Sequence, residues 1–88
     1  MEKINALRDR IDKIDEEILH LLKERMEISK TIGRIKRGQG APIRDPQREN
    51  EKYSILKEKA VELGLNPEDV NEIFRKIVEM SIRVQQQT

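Results

Sequence analysis

The chain contains no cysteine and no tryptophan, and its aromatic side chains are one tyrosine and one phenylalanine. No disulfide can therefore brace it. Its single histidine, His20, cannot make a metal site without carboxylate help. Two aromatic rings leave little on which to stack bases. Neither sign of charge is in excess: 18 basic and 17 acidic residues give a net charge of +1, whereas nucleic-acid binding by bulk charge needs a basic excess on one face. No apolar run approaches the roughly 20 residues of a membrane span. The start of the chain, Met1-Glu2-Lys3-Ile4-Asn5, lacks a signal-peptide pattern. These absences predict a soluble cytoplasmic protein with neither a nucleic-acid nor a membrane partner.

What is present is charge. Of 88 residues, 40% are charged and 35% hydrophobic. The length predicts a single domain over residues 1–88, and the few large apolar side chains predict a thin core. Small cores are ordinarily reinforced by disulfides, metals or oligomerisation. With the first excluded and the second unsupported, oligomerisation remains.

Hydrophobic spacing predicts an all-α fold of three helices. Ile4, Leu7, Ile11, Ile14, Ile18 and Leu21, then Ile28, Ile32 and Ile35, alternate steps of three and four either side of one seven-residue step, a heptad-like seam read as one helix over about 3–37. Gly33 reads as a mild weakness near its end. At about 1.5 Å per residue this helix is roughly 50 Å long. It overshoots the body of so small a domain and needs a partner, most simply a second copy of itself. Gly38–Pro42 reads as a loop. Asp45-Pro46 then caps a second helix running to about Leu63, with Tyr53, Leu56, Ala60 and Leu63 on its apolar side and Gly64 at its C′ position. Asn66-Pro67 opens a third helix over 67–86, acidic in its first turn. Its expected buried stripe is Val70, Ile73, Phe74, Ile77, Val78, Ser81, Val84 and Gln85.

Several polar residues stand where apolar ones belong. Arg25 continues the seam, where an unpaired guanidinium costs several kcal/mol. It reads either as an internal ion pair or register-setting residue, or as the receiver of an external anion. Lys36 returns to nearly the same face roughly 16 Å further along the helix, to converge on that anion or to sit in solvent. Arg48 stands in a first helical turn, against the helix dipole, with Glu49 beside it to pair, cap or bind a hydroxyl. Ser81 and Gln85 place a hydroxyl and a neutral amide on the apolar stripe of the third helix, unless the chain end frays and both are simply wet. Arg8 lies 17 residues from Arg25, roughly 25 Å along a straight helix. One small metabolite cannot touch both in one chain, so if both bind ligand, Arg8 serves the partner's site.

These stretches resemble the all-helical (AroQ-class) chorismate mutases over essentially the whole chain. The matching pieces are Leu7-Arg8-Asp9-Arg10-Ile11-Asp12-Lys13-Ile14-Asp15, Leu21-Leu22-Lys23-Glu24-Arg25, Ile32-Gly33-Arg34-Ile35-Lys36, Pro42-Ile43-Arg44-Asp45-Pro46-Gln47-Arg48-Glu49, and Ile77-Val78-Glu79-Met80-Ser81 with Gln85. Each is short, but their order and spacing together are specific. The resemblance implies two three-helix chains intertwined as a homodimer. It implies an isomerase that converts chorismate to prephenate, toward phenylalanine and tyrosine, with no metal or other cofactor. It assigns Arg25 and Arg48 to substrate carboxylate within the chain, and Arg8 to a carboxylate across the interface. Lys36 would contact a carboxylate and the ether oxygen, Gln85 that same oxygen, Asp45 and Glu49 the ring hydroxyl, and Ser81 the ring carboxylate. Lys36, Gln85, Arg25 and Glu49 are thereby the expected catalytic residues. Domains of this kind are also joined to other shikimate-pathway enzymes, so association with such an enzyme is a further expectation.

Two other readings compete. A lyase on the same fold removes pyruvate from isochorismate, and the arginines do not discriminate against it. The pair Asp45 and Glu49 and the short loop around Gly38–Ala41 favour the mutase. A non-catalytic helical dimer or regulatory module explains the seam, but not Arg25, Ser81 and Gln85 together.

Overall fold

The computed structural model describes residues 1–87 as three helices, with no strand among them. Helix α1 spans Glu2–Gln39, α2 Pro46–Glu62 and α3 Pro67–Gln87. The 38 residues of α1, at about 1.5 Å each, account for the 57 Å long dimension of the molecule. No helix is long and apolar enough to cross a membrane among the described residues.

Local chemistry sets the boundaries. The first helix runs through Gly38 and stops at Gly40, whose φ of 69° is left-handed. There the Gly40 N–H donates to the Arg37 carbonyl (3.2 Å) and the Ala41 N–H to that of Lys36 (2.8 Å), closing the helix with its last carbonyls occupied. Lys36 and Arg37 in that final turn favour the negative end of the dipole. The expected loop thus begins two residues late, because a glycine terminates a helix only where its backbone turns left-handed. Asp45 caps α2 as expected, its carboxylate accepting the Arg48 N–H at 3.2 Å, and Gly64 (φ 73°) ends that helix. Asn66 Oδ1 accepts the Asp69 N–H at 3.0 Å and opens α3.

Helices α2 and α3 form an antiparallel hairpin, tied by Lys57 to Glu68 (3.7 Å) and by Arg75 over the Tyr53 ring (5.9 Å). Ala60 is buried within it. The other face of α3 lies parallel to the C-terminal half of α1, with Ser81 against Ser29 and Gln85 against Gly33. Residues 1–21 are all exposed, so the first half of α1 projects alone. Ile4, Leu7, Ile11, Ile14 and Ile18 remain 49–56% exposed. The radius of gyration, 16.4 Å, exceeds the roughly 12 Å of a compact chain of this length.

The expected buried stripe of α3 needs correction. Ile73 is 58% exposed, and Val70, Phe74, Ile77, Val78 and Val84 are half-buried; only the polar members Ser81 and Gln85 are buried. A single chain lays only a narrow part of α3 against α1, and that part is polar.

Gly33 also reads differently in three dimensions. A Cβ there would lie 2.8 Å from the Gln85 Cα and 3.0 Å from its carbonyl oxygen. The glycine is the point of closest approach between α1 and α3. Alanine would gain about 1 kcal/mol of helix propensity but would collide with backbone, which yields poorly. Gly33→Ala should destabilise the fold by about 1–3 kcal/mol, measured by urea denaturation. Gly38, which has nothing within 4 Å of its built Cβ, supplies the contrast: Gly38→Ala should stabilise by up to about 1 kcal/mol.

Candidate functional site

Where α1, α2 and α3 meet, they enclose an open pocket of about 380 Å³. Its floor is apolar, formed by Ile28, Ile32, Val78 and Ile82. Around the floor stand Arg25 and Lys36 from α1, Asp45 capping α2, Arg48 and Glu49 from the first turn of α2, and Ser81 and Gln85 from α3. Seven of the eight residues singled out in the sequence therefore line one cavity. The eighth, Arg8, does not. It sits on the exposed half of α1, roughly 25 Å of helix from Arg25.

Arg25 is half-buried. It makes no ion pair among the described residues; its guanidinium donates to the Ser81 hydroxyl. Burial pushes its pKa down from the usual value, opposed in part by the field of Tyr53. A cation in that position is under-compensated, and an anion in the pocket would relieve it. The expected alternative, an internal ion pair, is absent among the described residues.

Ser81 is the hub of a small buried network. Its oxygen accepts from Arg25 and lies 3.1 Å from the Ser29 hydroxyl, and it donates to Met26 Sδ at 3.9 Å. A thioether is a weak acceptor, so the Ser81 hydrogen is free to exchange for a better one. Ser29, buried and facing the pocket, had no distinguishing mark in the sequence, where a helical serine reads as surface.

Lys36 is half-buried and donates to the Ile43 carbonyl at 2.7 Å. That bond folds the α1–α2 loop over the pocket rim and leaves the ammonium two further donors. Gln85 is buried, and its Oε1 has no hydrogen-bond partner among the described residues. An orphaned buried amide atom costs about 1–3 kcal/mol. A half-turn of the carboxamide exchanges its oxygen for its N–H₂, so the position can serve a ligand acceptor or donor. The expectation that the chain end leaves Gln85 wet is not met. Glu49 is held by Arg44, whose Nη2 approaches Oε1 at 2.7 Å and whose Nε approaches Oε2 at 3.4 Å. That hydrogen bond and the adjacent carboxylate charge raise the Arg44 pKa. Arg48 is exposed and without an ion-pair partner among the described residues.

The lining carries five cationic side chains, from Arg25, Lys36, Arg44, Arg48 and Lys52, against the carboxylates of Asp45 and Glu49. The arrangement suits a small polyanion with an apolar face and a hydroxyl. It presents hydrogen-bond donors and fixed charge, with no cysteine or histidine nucleophile in its wall.

The chain is similar to known proteins over most of its length. The chain is 44% identical over 81 residues to the bifunctional chorismate mutase/prephenate dehydratase of Aquifex aeolicus, covering 89% of the chain and 22% of that protein. It is 33% identical over 79 residues to the T-protein of Enterobacter agglomerans, covering 90% of the chain and 21% of the relative. It thus spans about a fifth of the length of these two relatives. It is 33% identical over 87 residues to the chorismate mutase of Methanocaldococcus jannaschii, covering 99% of the chain and 88% of that protein. The family model for chorismate mutase type II matches residues 7–86, and on that match the chain belongs to the chorismate mutase type II family.

Proposed function

We propose that this chain is an isomerase that converts chorismate to prephenate by a concerted 3,3-sigmatropic (Claisen) rearrangement, working as a homodimer. The observation that carries the reading is the pocket's unbalanced cationic lining around a buried Gln85 whose Oε1 has no hydrogen-bond partner among the described residues.

Chorismate is a dianion whose ether C–O bond breaks as a C–C bond forms. The reaction needs no nucleophile and no proton abstraction. It needs the substrate held in its compact, chair-like conformer, and donors placed where negative charge grows on the ether oxygen. Arg25, Arg48 and Lys36 would fix the carboxylates. Ser81, turning its hydrogen from Met26 toward the ligand, would support the ring carboxylate. Asp45 and Glu49 would hold the ring hydroxyl, with Arg44 keeping the Glu49 carboxylate in place. Lys36 and Gln85 would meet the ether oxygen. Even a million-fold acceleration requires only about 8 kcal/mol, which conformational restraint and two donors can supply.

Exposure supports the dimer. Residues 1–21 of α1 are all exposed among the described residues, and the apolar seam they carry is uncovered. Antiparallel pairing with a second copy would cover the seam, interlock the chains and carry each Arg8 toward the other chain's pocket. The bifunctional Aquifex relative supports association with a second enzyme of aromatic biosynthesis.

Chorismate loss followed by absorbance, with the product identified by chromatography, should show prephenate formed by the wild type and nearly none by Arg25→Ala. No turnover by the wild type would sink the reading. Lys36→Ala and Gln85→Ala should each lower kcat by about a hundredfold to a thousandfold, more than they weaken ground-state binding; a rise in KM alone would count against their assignment. Because Gln85 is a neutral amide, activity should persist at neutral pH, and a profile confined to acid would contradict its role. For the dimer, Arg8→Ala and Arg25→Ala chains, each inactive alone, should regain about a quarter of wild-type activity when refolded together, since each mixed dimer then holds one intact site. Failure to complement would exclude Arg8 acting across the interface.

A further inference from the structure

Gln85 lies in the last turn of α3, which ends at Gln87. The final carbonyls of a helix have no intrahelical donors, and such turns fray unless something outside holds them. There is no basic residue in the last turn of α3 to satisfy them. Yet Gln85 is buried, and two residues of α1 account for it. Gly33 meets its Cα and carbonyl oxygen, and Arg37, one turn further along the same face, donates from Nη1 to that carbonyl.

Building on the proposed mutase activity, we propose that Arg37 is a positioning residue that acts through the backbone of Gln85. It does not line the pocket, and it makes no ion pair among the described residues. Its guanidinium caps α3 from outside, supplying the cation that a helix C-terminus otherwise takes from its own final turn. The side-chain Oε1 of Gln85 has no hydrogen-bond partner among the described residues, so it is the backbone position that aims the carboxamide. Arg37 and Gly33 provide that fixation from one side of α1, and Lys36 enters the pocket beside them. The two groups assigned to the ether oxygen are thereby referenced to a single turn of one helix.

The test is steady-state kinetics of Arg37→Ala, Arg37→Lys and Gln85→Ala, together with the Arg37→Ala/Gln85→Ala double variant. Amide hydrogen exchange over residues 84–87 is measured in parallel on the wild type and Arg37→Ala. Arg37→Ala should lower kcat about tenfold with little change in KM. Arg37→Lys, which keeps one charged donor, should restore most of that loss. In the Gln85→Ala background, Arg37→Ala should change kcat by less than about twofold. Exchange of the terminal amides should quicken in Arg37→Ala while the rest of α3 stays protected. Equal losses in both backgrounds, a rise in KM alone, wild-type kcat in Arg37→Ala, or unchanged terminal exchange would each overturn the proposal. If Arg37→Ala does not fold, Arg37→Gln, which retains a neutral donor, takes its place in each comparison. Should the wild type fail to turn over chorismate, the mutase reading falls, while hydrogen exchange still decides whether Arg37 holds the helix end.

Discussion

The site depends on how closely α3 approaches α1, and that distance is set by a missing methyl group. At Gly33 the backbone of Gln85 comes to where a side chain would begin. Parallel helices that touch at one point keep their neighbours in register one turn away. The contact therefore also seats Ser81 against Ser29 and within reach of Arg25. A wider crossing would leave Arg25 in solvent, where its charge needs no partner, and would open the pocket floor. Helix propensity at position 33 is traded for the proximity that makes the cavity.

Energetically the chain is unusual for its size. Ala60 is its one buried apolar side chain among the described residues, while four polar side chains, Ser29, Asn71, Ser81 and Gln85, are buried. Folding of the isolated chain thus rests on helix capping, on half-buried aliphatic contacts along α3 and on the hydroxyl network around Ser81. Three of those four polar groups line the pocket. The polarity that weakens the interior is the polarity that recognises a charged ligand, a common tension between stability and binding.

Much of this was legible in the sequence, for identifiable reasons. Asp45-Pro46 and Asn66-Pro67 announce helix starts because side-chain oxygens satisfy the first free N–H groups, and Gly64 announces an end because it adopts positive φ. Arg25, Ser81 and Gln85 stood out as polar breaks in apolar stripes, which periodicity exposes directly. The α1 terminus was misplaced because composition does not reveal which of two glycines turns left-handed. Ile73 was misjudged because amphipathicity gives the face of a helix but not how much of that face one chain covers. Ser29 and Arg37 were invisible for another reason. Each matters only through a residue about fifty positions away, and no local pattern encodes that pairing.

The bond from Lys36 to the Ile43 carbonyl carries a consequence for how such a chain can diverge. Surface connections usually accept insertions freely, since lengthening a flexible loop adds little closure entropy. This connection cannot drift in that way. Its backbone is a ligand of a pocket ammonium, so an added residue would displace the carbonyl and release the lysine from its bearing. The span from Gly40 to Asp45 is therefore less tolerant of insertion than the turn after α2, which contributes no residue to the pocket.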